Sequence, residues 1–227
     1  MTLAYHRIGF FEKIAPYYDF LLDFLTFGLY AKFLKRAVTI LAPQKGEKIL
    51  DLCSGTGRVA SWIAQAVGGE GEVVGMDIAQ TMVEVATRRY GSLKNVVFLQ
   101  KDVTHRWEYQ DHFDGIFTSF AIHELPESGR TEVLEQSYLA LKEGGRMVIA
   151  DFNPKVSGLG KPFLIIFFKL FESENLHFFS FDQNEILKKV GFKKIKTFLF
   201  LAGLFQITVA HRSPDLLNDE LRVRSLK

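Results

Sequence analysis

The residues best suited to chemistry are two aspartates on either side of a loop of small residues. Asp51 precedes the loop Ser54-Gly55-Thr56-Gly57, and Asp77 lies 20 residues after its last glycine. Glycines can adopt a positive φ and let a ligand approach the main chain closely. The spacing Gly-x-Gly-x-x-Ala fits the dinucleotide-binding fingerprint, in which an acid at the place of Asp77 accepts hydrogen bonds from ribose hydroxyls. The first chemistry to consider is therefore the binding of a nucleoside-containing cofactor.

This loop needs a buried strand before it and a helix after it. Residues 49–52 are a short apolar run that predicts a parallel strand, and residues 59–67 have helical spacing. Asp51 then lies at the carboxyl end of the strand, where a pyrophosphate would bring like charge close to it. The ammonium and sulfonium of S-adenosylmethionine (SAM) suit this carboxylate better. The order Asp-x-x-x-Gly-x-Gly resembles motif I of the class I SAM-dependent methyltransferases.

Strands and helices alternate along the rest of the chain. Strands are predicted at residues 72–77, 96–100, 113–120 and 146–151, helices at 80–90, 130–142 and 183–190, and a closing hairpin at 195–201 and 205–210. We expect Gly144-Gly145 to cap the helix that ends at residue 142 and Gly191 to cap the last helix. This order matches the class I methyltransferase fold, an α/β Rossmann-like sheet of seven strands with helices on both faces and the last strand antiparallel.

The resemblance also implies a full set of cofactor contacts. An acid at the place of Asp102 accepts a hydrogen bond from the adenine amino group, and the amide of Val103 meets a ring nitrogen. Ile78 and Met82 are candidates to sandwich the adenine, and Ser119 ends a strand beside the cofactor. The predicted cofactor-binding residues are Tyr18, Asp51, Ser54, Gly55, Thr56, Gly57, Asp77, Ile78, Met82, Asp102, Val103 and Ser119.

The amino-terminal region predicts a helical cap. Phe20, Leu21, Phe24 and Leu25 recur at helical spacing within residues 5–42. Residues 11–19, Phe-Glu-Lys-Ile-Ala-Pro-Tyr-Tyr-Asp, look like the entry segment of the ubiquinone/menaquinone-biosynthesis C-methyltransferases. Bacterial phospholipid N-methyltransferases share this segment, and a purely structural amphipathic helix is the alternative.

That resemblance implies that Tyr18 closes over SAM and that Asp19 holds the backbone of the entry segment. We predict three parts of the chain: a cap at residues 1–44, a SAM-binding domain at 45–212 and a polar tail at 213–227. Two places depart from the quinone family's pattern. Arg58 stands where the family has an acid, and His123-Glu124 stands where it has an Arg-Asn region.

His123 is the candidate catalytic residue. It follows the fourth predicted strand and is the only imidazole placed where a methyl transfer could use a base. It could take a proton from a phenol or a carbon acid, or orient the acceptor. A hydrogen-bonded structural histidine is the alternative, and Glu124 can be interpreted in the same two ways.

Residues 152–181 predict an apolar insertion over the acceptor site. The run 163–171 is nearly all apolar but too short to span a bilayer. Phe178, Phe179 and Phe181 extend the same apolar wall. We expect this insertion to roof an acceptor pocket or to contact a membrane, with an ordinary core helix as the alternative.

Composition limits the remaining classes. The 227 residues carry a net charge of +2, too small to indicate a nucleic-acid partner. The single Cys cannot form an internal disulfide, which predicts a cytoplasmic protein, with at most peripheral contact to a membrane surface. The six His and one Cys show no metal-ligand spacing, so we expect no metal. Oligomeric state is not readable from the sequence.

We therefore expect a SAM-dependent methyltransferase for a hydrophobic small-molecule or lipid acceptor. C-methylation of a prenylated quinone precursor comes first. Phospholipid head-group N-methylation and methylation of a small soluble acceptor are the alternatives. Outside this class, an NAD-type oxidoreductase and a non-catalytic SAM-binding module stay open. The expected reaction is an in-line displacement for which the fold supplies proximity and orientation.

Overall fold

Seven strands form one sheet in the computed structural model of the chain, which describes residues 8–158, 161–162, 164–165 and 182–213. The strands are β1 (Lys48–Leu52), β2 (Glu72–Asp77), β3 (Val96–Gln100), β4 (Phe113–Ser119), β5 (Leu141–Phe152), β6 (Lys193–Phe200) and β7 (Phe205–His211). Their order across the sheet is β3-β2-β1-β4-β5-β7-β6. β7 runs antiparallel to β5 and β6, and the remaining pairs are parallel. The predicted topology is confirmed.

Helices cover both faces of this sheet. They are α1 (Ile8–Ile14), α2 (Tyr18–Leu25), α3 (Leu29–Leu41), α4 (Arg58–Val67), α5 (Gln80–Tyr90), α6 (Glu127–Ala140) and α7 (Gln183–Val190). Along β1, Ile49 packs into a cluster with α3 and α4, and Leu50 packs into a second cluster with α6 and α7. Alternate strand residues point to opposite faces, so a strand buried on both sides is apolar throughout. The predicted bounds of β2, α5, β3 and α7 agree with the structure at every residue.

The end of α6 differs from the prediction. The helix spans Glu127–Ala140 instead of 130–142, and Leu141 already pairs with Phe113 of β4. Gly144-Gly145 therefore caps no helix but bends the first part of β5, where Gly144 has a φ of 78°. Helical spacing could not reveal this boundary, because a leucine at position 141 fits either a helix face or a strand.

The cap is attached to the sheet at the end of α3. Arg146 of β5 donates from Nε to the Leu41 carbonyl at 2.5 Å and from a terminal nitrogen to the Ala42 carbonyl at 3.0 Å. Its guanidinium also pairs with Glu47 at 2.6 Å. Carbonyls at the end of a helix lack partners within the helix, so a guanidinium is a favourable cap. The helical character predicted for residues 5–42 is confirmed for residues 8–41, apart from short connections.

The predicted apolar insertion falls largely outside the described residues. This holds for most of 163–171, for Phe178, Phe179 and Phe181, and for the tail beyond residue 213. Leu164 is described, and it is buried beside Phe152 and Val156. Within the described ranges, every helix is too short or too polar to cross a bilayer.

Candidate active site

A cavity opens at the carboxyl ends of β1, β2 and β4, beneath the cap. All but one of the predicted cofactor residues line it: Tyr18, Asp51, Ser54, Gly55, Thr56, Asp77, Ile78, Met82, Asp102, Val103 and Ser119. The crevice at the carboxyl edge of an open α/β sheet is where such folds bind their ligands. The fold thus brings residues that were predicted from the sequence, and that are spread over about 100 positions, together in one cavity.

The two glycines of the loop have different structural roles. A Cβ on Gly55 would meet no atom within 4 Å, so this residue leaves open space at the cavity. Gly57 is the residue that does not line the cavity. A Cβ there would stand 2.6 Å from the Phe98 ring, and its φ is 76°. Gly57 therefore serves the start of α4 and its packing on β3, whereas Gly55, with a φ of 52°, leaves the main chain open to the cavity.

Asp51 gives the cavity a buried carboxyl group. It is 2% exposed, and its Oδ2 has no hydrogen-bond partner in the part of the chain that the structure describes. Burial and the nearby charge of Asp77 raise the pKa of Asp51 well above its ordinary value. A carboxylate in this condition gains from a cation, and the ammonium of SAM is such a cation. The donor set therefore fits the predicted cofactor.

Asp77 connects β2 to the glycine loop. Its Oδ2 accepts a hydrogen bond from the Gly55 amide at 2.8 Å, and its Oδ1 accepts one from the Ala79 amide at 2.9 Å. Burial raises the pKa of Asp77, although these amides oppose the shift. Each carboxylate oxygen keeps further acceptor capacity, so the ribose role is compatible with these contacts.

Asp102 has local contacts of its own. Its Oδ1 accepts hydrogen bonds from the amide of Thr104 at 2.9 Å and from the Thr104 hydroxyl at 2.7 Å. These bonds fix the turn after β3, so that Asp102, Val103 and Thr104 all line the cavity.

Asp19 fastens the cap to the glycine loop. Its Oδ2 accepts hydrogen bonds from the Thr56 hydroxyl at 2.8 Å and from Arg89 at 2.6 Å. Arg58 lies 3.3 Å from its Oδ1. The expected hold on the backbone comes instead from Arg89, which donates to the Pro16 carbonyl at 2.9 Å. Arg58, a departure from the family pattern, therefore has a structural role here.

Tyr18 and Tyr30 form a hydrogen-bonded pair in the cavity wall. Burial raises the pKa of Tyr18 to about 12 and that of Tyr30 well above its ordinary value. Both phenols are therefore protonated at neutral pH and act as hydrogen-bond donors instead of bases. Sequence reasoning missed Tyr30. The available signal was its place one turn before the buried residues of α3.

His123 lies behind the cavity wall. It is 2% exposed, its Nδ1 is 2.6 Å from Asp151 Oδ1, and its ring meets that of Phe152 edge-on. It is absent from the cavity lining, whereas Glu124 is part of it. Glu124 Oε1 is 3.8 Å from His123 Nε2. A catalytic role for His123 stays a prediction, since the side chain in the cavity lining is that of Glu124.

The remaining wall of the cavity is mainly apolar. It includes residues that the sequence did not single out for the site: Ile8, Phe11, Leu34, Val59, Phe120, Ala121, Leu125 and Pro126. Phe120 has a φ of 48°, and its ring packs against those of Tyr30, Phe33 and Phe152. Across the described ranges, no three His, Cys, Asp or Glu side chains are grouped so as to hold a metal ion.

Comparison with known proteins decides the family. A model of the ubiE/COQ5 methyltransferase family matches residues 5–173, well over half of the chain. The chain belongs to this family. The 2-phytyl-1,4-naphtoquinone methyltransferase of Synechococcus elongatus is 34% identical over 158 residues, which are 68% of this chain and 67% of that protein. The UbiE C-methyltransferase of Francisella philomiragia is 27% identical and covers 86% of this chain and 73% of its own length.

Solved structures agree on the fold. A SAM-dependent methyltransferase from Thermotoga maritima, described as a possible histamine N-methyltransferase, superposes with a TM-score of 0.68 at 20% identity. The match covers 89% of this chain and 98% of that one. One from Aquifex aeolicus gives a TM-score of 0.61 at 21% identity, over 79% of this chain and 89% of that one. This member of the ubiE/COQ5 family is a SAM-dependent methyltransferase, as predicted, and not an NAD-type oxidoreductase.

Proposed function

We propose that the enzyme methylates a ring carbon of a prenylated quinone precursor. The observation that carries this proposal is the composition of the cavity. The cavity combines the carboxylates that we assign to the cofactor with an apolar wall that includes Phe11, Phe120 and Leu125. Glu124 lies among these wall residues. The names of the relatives, which are naphthoquinone, demethylmenaquinone and ubiquinone/menaquinone methyltransferases, support it.

The chain's own residues divide the work of binding. Asp51 would hold the ammonium of the cofactor, Asp77 the ribose, and Asp102 with Val103 the adenine. Bound SAM supplies a methyl group on a positively charged sulfur. Tyr18 and Tyr30 are hydrogen-bonded to each other, so this buried pair keeps one O–H that can donate into the cavity, without adding charge. A dry site of low polarity favours a reaction in which positive charge disappears.

Glu124 is the residue that we place beside the acceptor. A phenolic ring becomes a stronger carbon nucleophile when its hydroxyl proton is removed, and a carboxylate in the cavity wall can accept that proton. The new carbon–carbon bond forms as the bond from methyl to sulfur breaks, with the neutral thioether of the demethylated cofactor as leaving group. The methylated ring carbon then releases its proton to solvent, and the resulting phenolate regains a proton from Glu124, so that one proton is released overall. His123, held by Asp151 and close to Glu124, would orient this carboxylate or share its proton.

A labelling assay with two defined lipid substrates tests the identity of the acceptor. The enzyme is incubated with methyl-labelled SAM and a reduced prenylated naphthoquinone that lacks the ring methyl group, or with phosphatidylethanolamine vesicles. Label in the quinone supports the proposal. Label in the phospholipid alone would replace it with head-group N-methylation.

Two variants then separate the candidate bases. Glu124→Gln should lower turnover by about 10²- to 10⁴-fold while the Kd for SAM stays unchanged. His123→Asn should lower turnover less and shift its pH profile, because its effect passes through Glu124. Loss of turnover in His123→Asn with normal turnover in Glu124→Gln would give the base role to the histidine, as the sequence first suggested.

A further inference from the structure

The cap carries an apolar surface outside the cavity. We define the cap face as Phe20, Leu21, Phe24, Leu25, Phe27 and Leu29, all of which are exposed. Phe27 is 93% exposed, Phe20 72% and Phe24 68%, and the rings of Phe20 and Phe24 stack at 6.1 Å. None of these six residues lines the cavity. A contiguous set of exposed aromatic and aliphatic side chains marks an interaction surface.

Helix α2 turns its apolar side outward. Asp19 and Asp23 point to the body of the protein and pair with Arg58, at 3.3 Å and 2.9 Å, while Phe20 and Phe24 lie in solvent. An ordinary surface helix has the opposite arrangement, with its apolar stripe on the core. The ion pairs oppose any rotation that would bury the phenylalanines. The exposure of the cap face is therefore fixed by the packing of α2.

Phe27 has an unfavourable backbone conformation at the tip of this face. Its φ is 51°, in the left-handed region that bulky side chains rarely adopt, and Gly28 follows with a φ of 75°. The side chain makes little contact with the fold in return, since it is almost fully exposed. Strain of this kind is characteristic of functional surfaces. Insertion into an apolar phase would give the ring the burial that the fold does not provide.

The exposed charges around the cap face are basic. Lys13 on α1 and Lys32, Lys35 and Arg36 on α3 are exposed, whereas Glu12 on α1 is half-buried and the acids of α2 are paired with arginines. Exposed aromatic and aliphatic side chains flanked by Lys and Arg are the combination that binds the interface of an anionic bilayer. We propose that the cap face docks on a lipid bilayer that carries anionic head groups. A second copy of the chain would bring the same basic residues close together and is disfavoured.

Docking would bring the cavity close to the bilayer. Tyr18 lines the cavity from α2, the helix that carries most of the cap face, and Ile8 and Phe11 line it from the preceding helix α1. An apolar acceptor could then pass from the membrane to the cavity along the cap without crossing bulk water. This consequence rests on the proposed function, whereas docking itself does not.

Vesicle flotation tests the docking. The full chain is mixed with phosphatidylcholine vesicles, with or without phosphatidylglycerol, and no quinone is included. We expect binding that is stronger with phosphatidylglycerol and that falls about tenfold or more in the variant Phe20→Ser/Phe24→Ser/Phe27→Ser. Leu199→Ser is the matched control, because Leu199 is 59% exposed on β6, and it should bind like the wild type. Isothermal titration with SAM should give the same Kd for all three proteins, which shows that the fold is retained.

A fluorescent variant tests insertion directly. Phe27→Trp should gain blue-shifted emission that brominated lipids quench, measured against the wild type to subtract Trp62 and Trp107. Equal vesicle binding by wild type and triple variant would overturn the proposal, and so would a lack of binding by the wild type. A wild-type dimer that the triple variant breaks, without vesicle binding, would assign the face to self-association. Because the vesicles contain no acceptor, these results do not depend on the methylation assay.

Discussion

Asp51→Asn tests the cofactor assignment, because it changes the charge of a cavity residue with little change in size. Asp51 is 2% exposed, and its Oδ2 has no hydrogen-bond partner in the described part of the chain. A hydrogen bond to a charged group contributes about 1.5–3 kcal/mol. The loss of this ionic partner for the ammonium should therefore raise the Kd for SAM by about 10- to 150-fold.

The same substitution should stabilise the protein in the absence of SAM. Burial, with the charge of Asp77, raises the pKa of Asp51 in the folded state. A raised pKa gives a stability contribution that is complete below the unfolded pKa and is lost as the pH rises toward the folded pKa. At neutral pH the wild type has therefore lost some of this stabilising contribution, whereas the asparagine variant has no ionisable group at this position and loses nothing. The gain in unfolding free energy should shrink as the pH falls toward about 4.

Asp114→Asn is the matched control at the opposite end of the sheet. Although burial opposes it, hydrogen bonds from Lys142 and from the Lys48 amide hold the pKa of Asp114 below its ordinary value. This contribution to stability is present above the unfolded pKa and is lost as the pH falls. The control should thus lose stability at neutral pH and bind SAM normally.

Isothermal titration gives the Kd for SAM, and urea unfolding across the pH range gives the stability. An Asp51→Asn variant that binds SAM within about threefold of wild type would refute the ionic assignment. A variant that is less stable than wild type at neutral pH, without SAM, would refute the pKa argument.

Three further predictions concern the glycine loop, the attachment of the cap and the cysteine in the cavity wall. Gly57→Ala should lower the unfolding free energy by about 1–3 kcal/mol, seen as a lower Tm, because its Cβ would meet Phe98 at a φ of 76°. Gly55→Ala has the strain of a positive φ, 52°, but its Cβ would meet no atom, so it should lose less stability and should weaken SAM binding. Asp19→Asn should weaken the attachment of the cap to the glycine loop by about 1–3 kcal/mol, because it weakens the hydrogen bonds from Thr56 and Arg89. We expect faster proteolysis within residues 8–28 and a higher Kd for SAM. Unchanged proteolysis would contradict the attachment. Cys53 should react slowly with iodoacetamide at neutral pH, since burial raises the pKa of its thiol well above the ordinary value. Because Cys53 lines the cavity, bound SAM should slow the reaction further. Fast alkylation, followed by mass spectrometry, would show that the thiol is accessible and ionised.

The sheet and the cofactor side of the cavity could be predicted because each depends on local sequence. The strand β2 carries no charge from Val73 to Met76 and ends in Asp77, so both the strand and the place of its acid follow from neighbouring residues. The boundary between α6 and β5 could not be found in this way. It depends on the pairing of Leu141 with Phe113, which are distant in the sequence.

The acceptor side could not be predicted residue by residue. Glu124 and His123 are adjacent, yet one lines the cavity and the other is buried behind it, and only the short helical turn at Ile122–Glu124 decides which. The aromatic spacing of α2 likewise predicts a helix but not its orientation. Asp19 and Asp23 decide that orientation through arginines that lie far along the chain, so the phenylalanines face outward.

The position of β7 has a consequence for synthesis on the ribosome. β7 lies between β5 and β6, so the last described strand to be made is an interior strand of the sheet. Until it emerges, β5 presents an unpaired edge, although β1 to β4 can already form the cofactor half of the site. Such an edge can pair with other chains. We therefore expect a nascent chain that ends before residue 205 to aggregate through the free edge of β5, and the hairpin of β6 and β7 to dock as one unit.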